Sequence, residues 1–236
     1  MKSVFLAVMS FMFVFMSSSS QADLITNVGG DASSEYLADA FFYAENLTDG
    51  SGMDGESHFV SAPNGSQPGT LKGNLKPIDF GIAWMNDPGK EIELQNKDYD
   101  GIGKVVFDLG AVYTLDMIHL WNFNNEWYGT VFGVNEVNIF VSFDEATWFS
   151  TNGGAAYKVQ QASGGPTFTS FEIPASDWGA LRYVKFDIVS NWGEEGTELN
   201  QVGLSEVQFY GTPVPEPSSL LLLGAGLAGV ALAGRA

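Results

Sequence analysis

The chain has 236 residues, 28 acidic against 10 basic, for a net charge of −18, and 45% of its residues are hydrophobic. A field of that sign repels nucleic acid and anionic lipid and favours cations, which argues against any nucleic-acid partner. With no cysteine there is no disulfide, thiol nucleophile or thiolate metal site, so stability rests on core burial, with or without a bound cation.

Lys2 supplies a minimal positive n-region, residues 4–16 are apolar but for Ser10, and Ser20-Gln21-Ala22 closes a run of small residues. This pattern predicts a signal peptide over residues 1–22, cut between Ala22 and Asp23. The alternative is a retained anchor, but a thirteen-residue stretch is short for a bilayer span. The exported part, residues 23–212, is long enough for one domain with a sizeable core. Without Lys2, Glu216 and Arg235 it keeps 8 basic and 27 acidic residues.

Only residues 34–46 have helix-like spacing, with Tyr36, Leu37, Ala40, Phe41 and Ala44 on one face. From residue 104 onward the period is two. Val105, Phe107 and Leu109 alternate with their neighbours, as do Val137, Ile139 and Val141, then Val184, Phe186 and Ile188, then Val207 and Phe209. Short alternating segments between Gly-, Asn- and Pro-rich stretches predict an all-β chain, an antiparallel sandwich or barrel.

Trp84, Trp121, Trp127, Tyr128 and Trp192 fall near segment ends, among Asn122, Asn124, Asn125, Glu126 and Asn191. Aromatic faces beside amides and carboxylates suit sugars, whose C–H faces stack while their hydroxyls hydrogen-bond. Sandwiches also bury tryptophans at their ends, the expectation for Trp121 and Trp148. The surface ligand-binding candidates are therefore Trp127, Tyr128 and Trp192, with Asn124 and Asn191 beside them.

Signs of catalysis are few. His58 and His119 are far apart in sequence, and neither a Gly-x-Ser-x-Gly elbow nor a His-Glu-x-x-His helix occurs. Nothing singles out a carboxylate pair. The Gly224-Ala-Gly226-Leu-Ala-Gly229 run matches a dinucleotide fingerprint, but only seven residues follow it, too few for a βαβ unit. The sequence predicts a non-catalytic protein.

The last 24 residues begin Pro213-Val-Pro-Glu-Pro-Ser-Ser and end Gly234-Arg235-Ala236. Between them, residues 218–234 are uncharged, ~26 Å as a helix and near the lower limit for a transmembrane span. Pro215, Glu216 and Pro217, a greasy segment and a terminal Arg235 resemble the PEP-CTERM sorting tail of exported proteins of Gram-negative bacteria. The basic cluster departs from the usual pattern in being a single Arg235. The resemblance implies an inner-membrane intermediate, recognition by exosortase-type sorting machinery, and release to the cell surface or extracellular matrix.

The order of the β segments carries a second resemblance. Lys104-Val-Val-Phe-Asp-Leu-Gly110 precedes Ile118-His-Leu-Trp-Asn-Phe-Asn124, then Gly133-Val-Asn-Glu-Val-Asn-Ile-Phe-Val-Ser142 with Trp148 after it. Tyr183-Val-Lys-Phe-Asp-Ile-Val-Ser-Asn-Trp-Gly193 and Val202-Gly-Leu-Ser-Glu-Val-Gln-Phe-Tyr-Gly211 follow. Over residues 45–211 this is similar to the discoidin, or coagulation-factor type C, family of galactose-binding-like domains, although 57–97 match poorly. The resemblance implies an antiparallel jelly-roll β-sandwich, flanked here by the signal peptide and a C-terminal hydrophobic helix. It also implies a Ca2+ ion where the loop 46–57 meets the last strand, with Asp49, Asp54, Ser57 and Glu206 as ligands. The same loop reads equally as ordinary turn chemistry. Family members bind sugars, lipid head groups or proteins. The expectation is an exported module for calcium-supported recognition of exopolysaccharide or glycans in a biofilm or floc matrix. The alternatives are a structural matrix or surface-coat protein, and a polysaccharide-active enzyme.

Overall fold

The computed structural model describes residues 22–33, 44–50, 53–54, 57–59, 83–87, 102–124, 129–165, 167–193 and 201–215. The strands are β1 (Asp23–Leu24), β2 (Gly29–Ala32), β3 (Met53–Asp54), β4 (Ser57–Phe59), β5 (Trp84–Met85), β6 (Gly103–Asn122) and β7 (Val134–Ser142). They continue as β8 (Phe149–Ser150), β9 (Tyr157–Lys158), β10 (Thr167–Thr169), β11 (Phe171–Pro174), β12 (Ala180–Asn191) and β13 (Gly203–Pro213). Among the described residues every strand pair is antiparallel, and the isolated bridge Gly133↔Gly203 is parallel.

The residues that alternate in sequence alternate in space. Val105, Phe107, Leu109, Val137, Ile139, Val141, Val184, Phe186, Ile188, Val207 and Phe209 are all buried in one core. The expected segments prove longer than their alternation. The 104–110 segment and residues 118–122 of the next are parts of one 20-residue strand, β6.

That strand serves both halves of a curled sheet. Its first part pairs with β2 and β12, from Gly103↔Ile188 to Asp108↔Tyr183; the start of β12 reaches past the bend, at Leu181↔Tyr113 and Ala180↔Thr114, and β12 pairs onward with β7. Its second part pairs with β11 and β13, from Tyr113↔Pro213 to Asn122↔Leu204, with β1 and β5 beyond. Between the parts the backbone bends at Gly110, whose φ of 78° lies where a side chain is strained. Asp108 locks the bend: Oδ1 accepts from the Gly110 N–H, and the carboxylate takes Arg182 Nε and Nη2, each bond 2.8 Å. The guanidinium holds the Asp108 carboxyl below its usual range.

Phe107 joins the halves through the core. Its ring lies 5.2 Å from Phe186 in the first half, edge-on at 71°, and 5.1 Å from Phe209 in the second. Such geometry adds to simple area burial. A separate small sheet, β10-β4-β3, lies apart from this ladder.

The helical expectation over 34–46 falls mostly outside the described residues, and its end, Ala44–Leu47, is one 3₁₀ turn. Residues 1–21 and 216–236, which hold the expected signal peptide and membrane helix, also lie outside them. Among the described residues no helix is long and apolar enough to cross a membrane. Trp121 is buried at 1% exposure as expected. Trp148 is only half-buried. One face of its ring is taken by the Lys185 ammonium at 4.7 Å, which also sits 4.5 Å from Phe140. Burial holds the Lys185 pKa down.

Truncating the ring that links the halves should be costly. Phe107→Ala is expected to lower unfolding free energy by about 3–5 kcal/mol in urea melts, with a cooperative transition retained.

Candidate functional site

The strands give the domain two poles. Gly103, Asn122, Val134, Asn191 and Gly203 end or begin their strands at one of them, where Gly133 bridges Gly203 and Trp192 N–H donates to the Gly133 carbonyl. This pole is built from buried amides. Asn86 donates to Ile102 O and accepts from Val202 N–H. Asn122 donates to the Val134 and Gln160 carbonyls, while its Oδ1 accepts from Phe123 and Val134 N–H. Loops without regular ladders leave backbone groups that need such partners, which is why asparagines line these strand ends. Gly203 is required here because a Cβ would lie 2.6 Å from both the Phe123 ring and Trp84 O.

Two predicted ligand-binding residues serve that framework. Asn124 Nδ2 donates to Gly165 O, and the residue is 1% exposed. Asn191 is 9% exposed, donates to Gln201 O and accepts from Gly193 N–H. Trp192 is 38% exposed. Trp127 and Tyr128 lie outside the described residues.

Beside Asn122 opens a cavity of about 110 Å³. Its apolar lining is Leu120, Phe171 and Ala162, and its polar lining is Asn122, Gln160, Gln161, Ser163 and Ser170. Gln161 Nε2 is steadied by Thr130 Oγ1 at 2.9 Å, and Ser170 Oγ lies 3.4 Å from His119 Nδ1. The last contact is too long to activate a hydroxyl. The His119 ring is packed between Tyr210 and Trp121, with centroids 4.8 and 5.9 Å away. The sequence reading sought exposed tryptophans and passed over Gln160, Gln161, Ser163 and Ser170. Their one signal was two adjacent glutamines in a stretch without apolar periodicity.

Glu206 is the most unusual charge-bearing group. It opposes Trp121 across the β6–β13 ladder and is 1% exposed. Gln208 Nε2 donates weakly to Oε1 at 3.4 Å, while Oε2 has no hydrogen-bond partner among the described residues. Burial, and then the nearby Asp49 carboxylate, push its pKa up to about 9, against the pull of Gln208 and the Gly50 N–H. The loop after the 3₁₀ turn thus brings Asp49, itself exposed, to Glu206. Asp54 and Ser57 oppose each other in the β3–β4 hairpin. Their side chains lie outside the described set. No group of three His, Cys, Asp or Glu positioned for a metal occurs among the described residues. Of the sorting motif, Pro215 is described, whereas Glu216, Pro217 and Arg235 are not. At the other end, Asp23 opens β1 directly after Ala22.

Residues 213–236 match the PEP-CTERM protein-sorting motif. Among curated proteins, none matches the chain. By structure the chain is similar to CBM32-3 from a family 31 glycoside hydrolase from Clostridium perfringens (TM-score 0.47, 17% identity, 81% of this chain and 95% of that one). It is also similar to CpGH89CBM32-5 from Clostridium perfringens, solved with GalNAc-β-1,3-galactose (0.46, 11%, 79% and 99%). A family 89 glycoside hydrolase from the same organism is matched over 15% of its own length and 82% of this chain (0.42, 16%).

The buried carboxyl makes stability depend on pH with a definite sign. Unfolded, Glu206 titrates near 4.5; folded, it titrates near 9. Across that window unfolding releases a proton, so this contribution is complete below the lower value and is lost as pH rises towards the upper one. In chelator, the melting temperature of Glu206→Gln should fall less than that of the natural chain between pH 5 and 9. Equal slopes would remove Glu206 as the cause.

Proposed function

We propose that this chain is an exported, non-catalytic carbohydrate-binding domain of the jelly-roll type, delivered to the cell surface or extracellular matrix. A signal peptide and exosortase-type processing at the inner membrane of a Gram-negative bacterium would carry it there, and the ligand would be an exopolysaccharide or glycan of a biofilm or floc matrix. The observation that carries the binding reading is the cavity at the amide pole. Amide and hydroxyl groups lie there over the apolar surface of Leu120 and Phe171. That lining matches a sugar, which offers hydroxyls on its rim and C–H groups on its faces. About 110 Å³ holds several waters and thus one substituent of a sugar ring, with the rest of the ring outside. Trp192, Trp127 and Tyr128 are the candidates for stacking on that exposed part.

Calcium is the cation this reading includes. The donors fit: Glu206 has a buried oxygen without a partner among the described residues, Asp49 a carboxylate beside it, and the glycine-rich loop has carbonyls to offer. Asp54 and Ser57 remain candidate ligands. Bound there, calcium would let Glu206 ionise and would fasten the loop after residue 46 to β13, with no part in any reaction. The second reading is a matrix or coat protein without a small ligand. The net charge of −18 supports it, because divalent ions bridge acidic surfaces.

Glycan-array binding in calcium and again in chelator separates the two. Selective, saturable binding that weakens at least tenfold in chelator, and again in Gln161→Ala or Trp192→Ala, is expected. Calcium-dependent self-association without sugar binding would transfer the case to the matrix reading.

A further inference from the structure

The sorting segment and the folded domain share residues. The motif begins at Pro213, the last residue of β13, which stands opposite Tyr113, and the Val214 N–H donates to Val112 O at 2.8 Å. The chain is therefore held in the sheet through Val214. Four residue steps separate Val214 from Ser218, where the uncharged stretch begins. Fully extended they reach ~14 Å, and a bilayer's headgroup layer is itself about 5–7 Å thick.

A domain on so short a lead has little freedom. The pole that carries Pro213 also carries the β6 bend at Gly110, the 175–179 turn after β11, the Ser142 end of β7 and the start of β1, where Asp23 opposes Gly211. Val214 and Phe143 are exposed apolar side chains there, at 37% and 62%. The amide pole lies at the other end of β13, nine residues away from Pro213 at Leu204, or ~30 Å. We infer that, while the tail is inserted, the short lead holds this tail-bearing pole next to the phospholipid headgroups, its exposed Asp144, Glu145 and Asp177 notwithstanding, and the amide pole points away from the membrane. The inference rests on the reading that residues 218–234 enter the bilayer. It adds an orientation: the candidate sugar cavity faces outward before any processing, so ligand can be met from the membrane-bound state.

The absence of cysteine makes the test clean. Single-cysteine variants of residues 23–236, the chain without the expected signal peptide, carry a fluorophore at Asp177→Cys or Ala111→Cys at the tail-bearing pole or at Val131→Cys at the other. They are reconstituted into phosphatidylcholine vesicles with a nitroxide on the headgroup. Labels at 177 and 111 should be quenched several-fold more than the label at 131. A six-residue Gly-Ser spacer between Val214 and Pro215 should erase the difference. Equal quenching at both poles in protein that co-floats with vesicles overturns the orientation. Protein that does not co-float overturns the insertion reading beneath it, and the orientation with it.

Discussion

One bend in one strand holds this domain together. Because β6 runs unbroken from Gly103 to Asn122, the two halves of the sheet share one strand and are laced to its opposite parts by hydrogen bonds. The turn of direction depends on Gly110 having no side chain and on Asp108 satisfying both the Gly110 amide and the Arg182 guanidinium. Phe107, three residues before the bend, reaches a ring in each half. Backbone, ion pair and core contact converge within a few residues, so the curl of the sheet is specified locally although it organises the whole chain.

From that curl follow two unlike ends. One is stitched by asparagine side chains that replace missing ladder partners, and it keeps a polar cavity beside an apolar floor. The other collects the first paired residue, Asp23, and the last, Pro213. Buried amides are ambiguous objects: they can hold loops or hold ligands. Asn122, with all four of its hydrogen bonds made inside the protein, holds loops. Gln161, anchored among the described residues by a bond to Thr130, has capacity left for a guest.

The strands were legible because a half-buried strand must alternate, and the Val105, Val137, Val184 and Val207 sets all do so onto the core. The union of 104–110 with 118–122 was not legible, since alternation breaks at the bend and Gly110 reads as a terminator. The strand that carries Glu206 was legible through segment order. The depth of Glu206 was not, because burial of a carboxylate contradicts its composition class and is set by what packs over it. The cavity escaped notice for a related reason. Glutamine and serine carry no periodic signature, and only the folding of the segment after β9 beside β11 gives them a shared floor.

The pairing of β13 with β6 also has a mechanical reading. Its hydrogen bonds lie across the strand axis, and the chain leaves that axis at Pro213. Tension between a tether at Pro213 and a load at the opposite pole would pull along the strand, stressing those bonds together instead of one after another. A sheet pulled that way shears, and shear is the harder direction in which to break it. The β13–β6 ladder is thus turned to resist a pull on the tail.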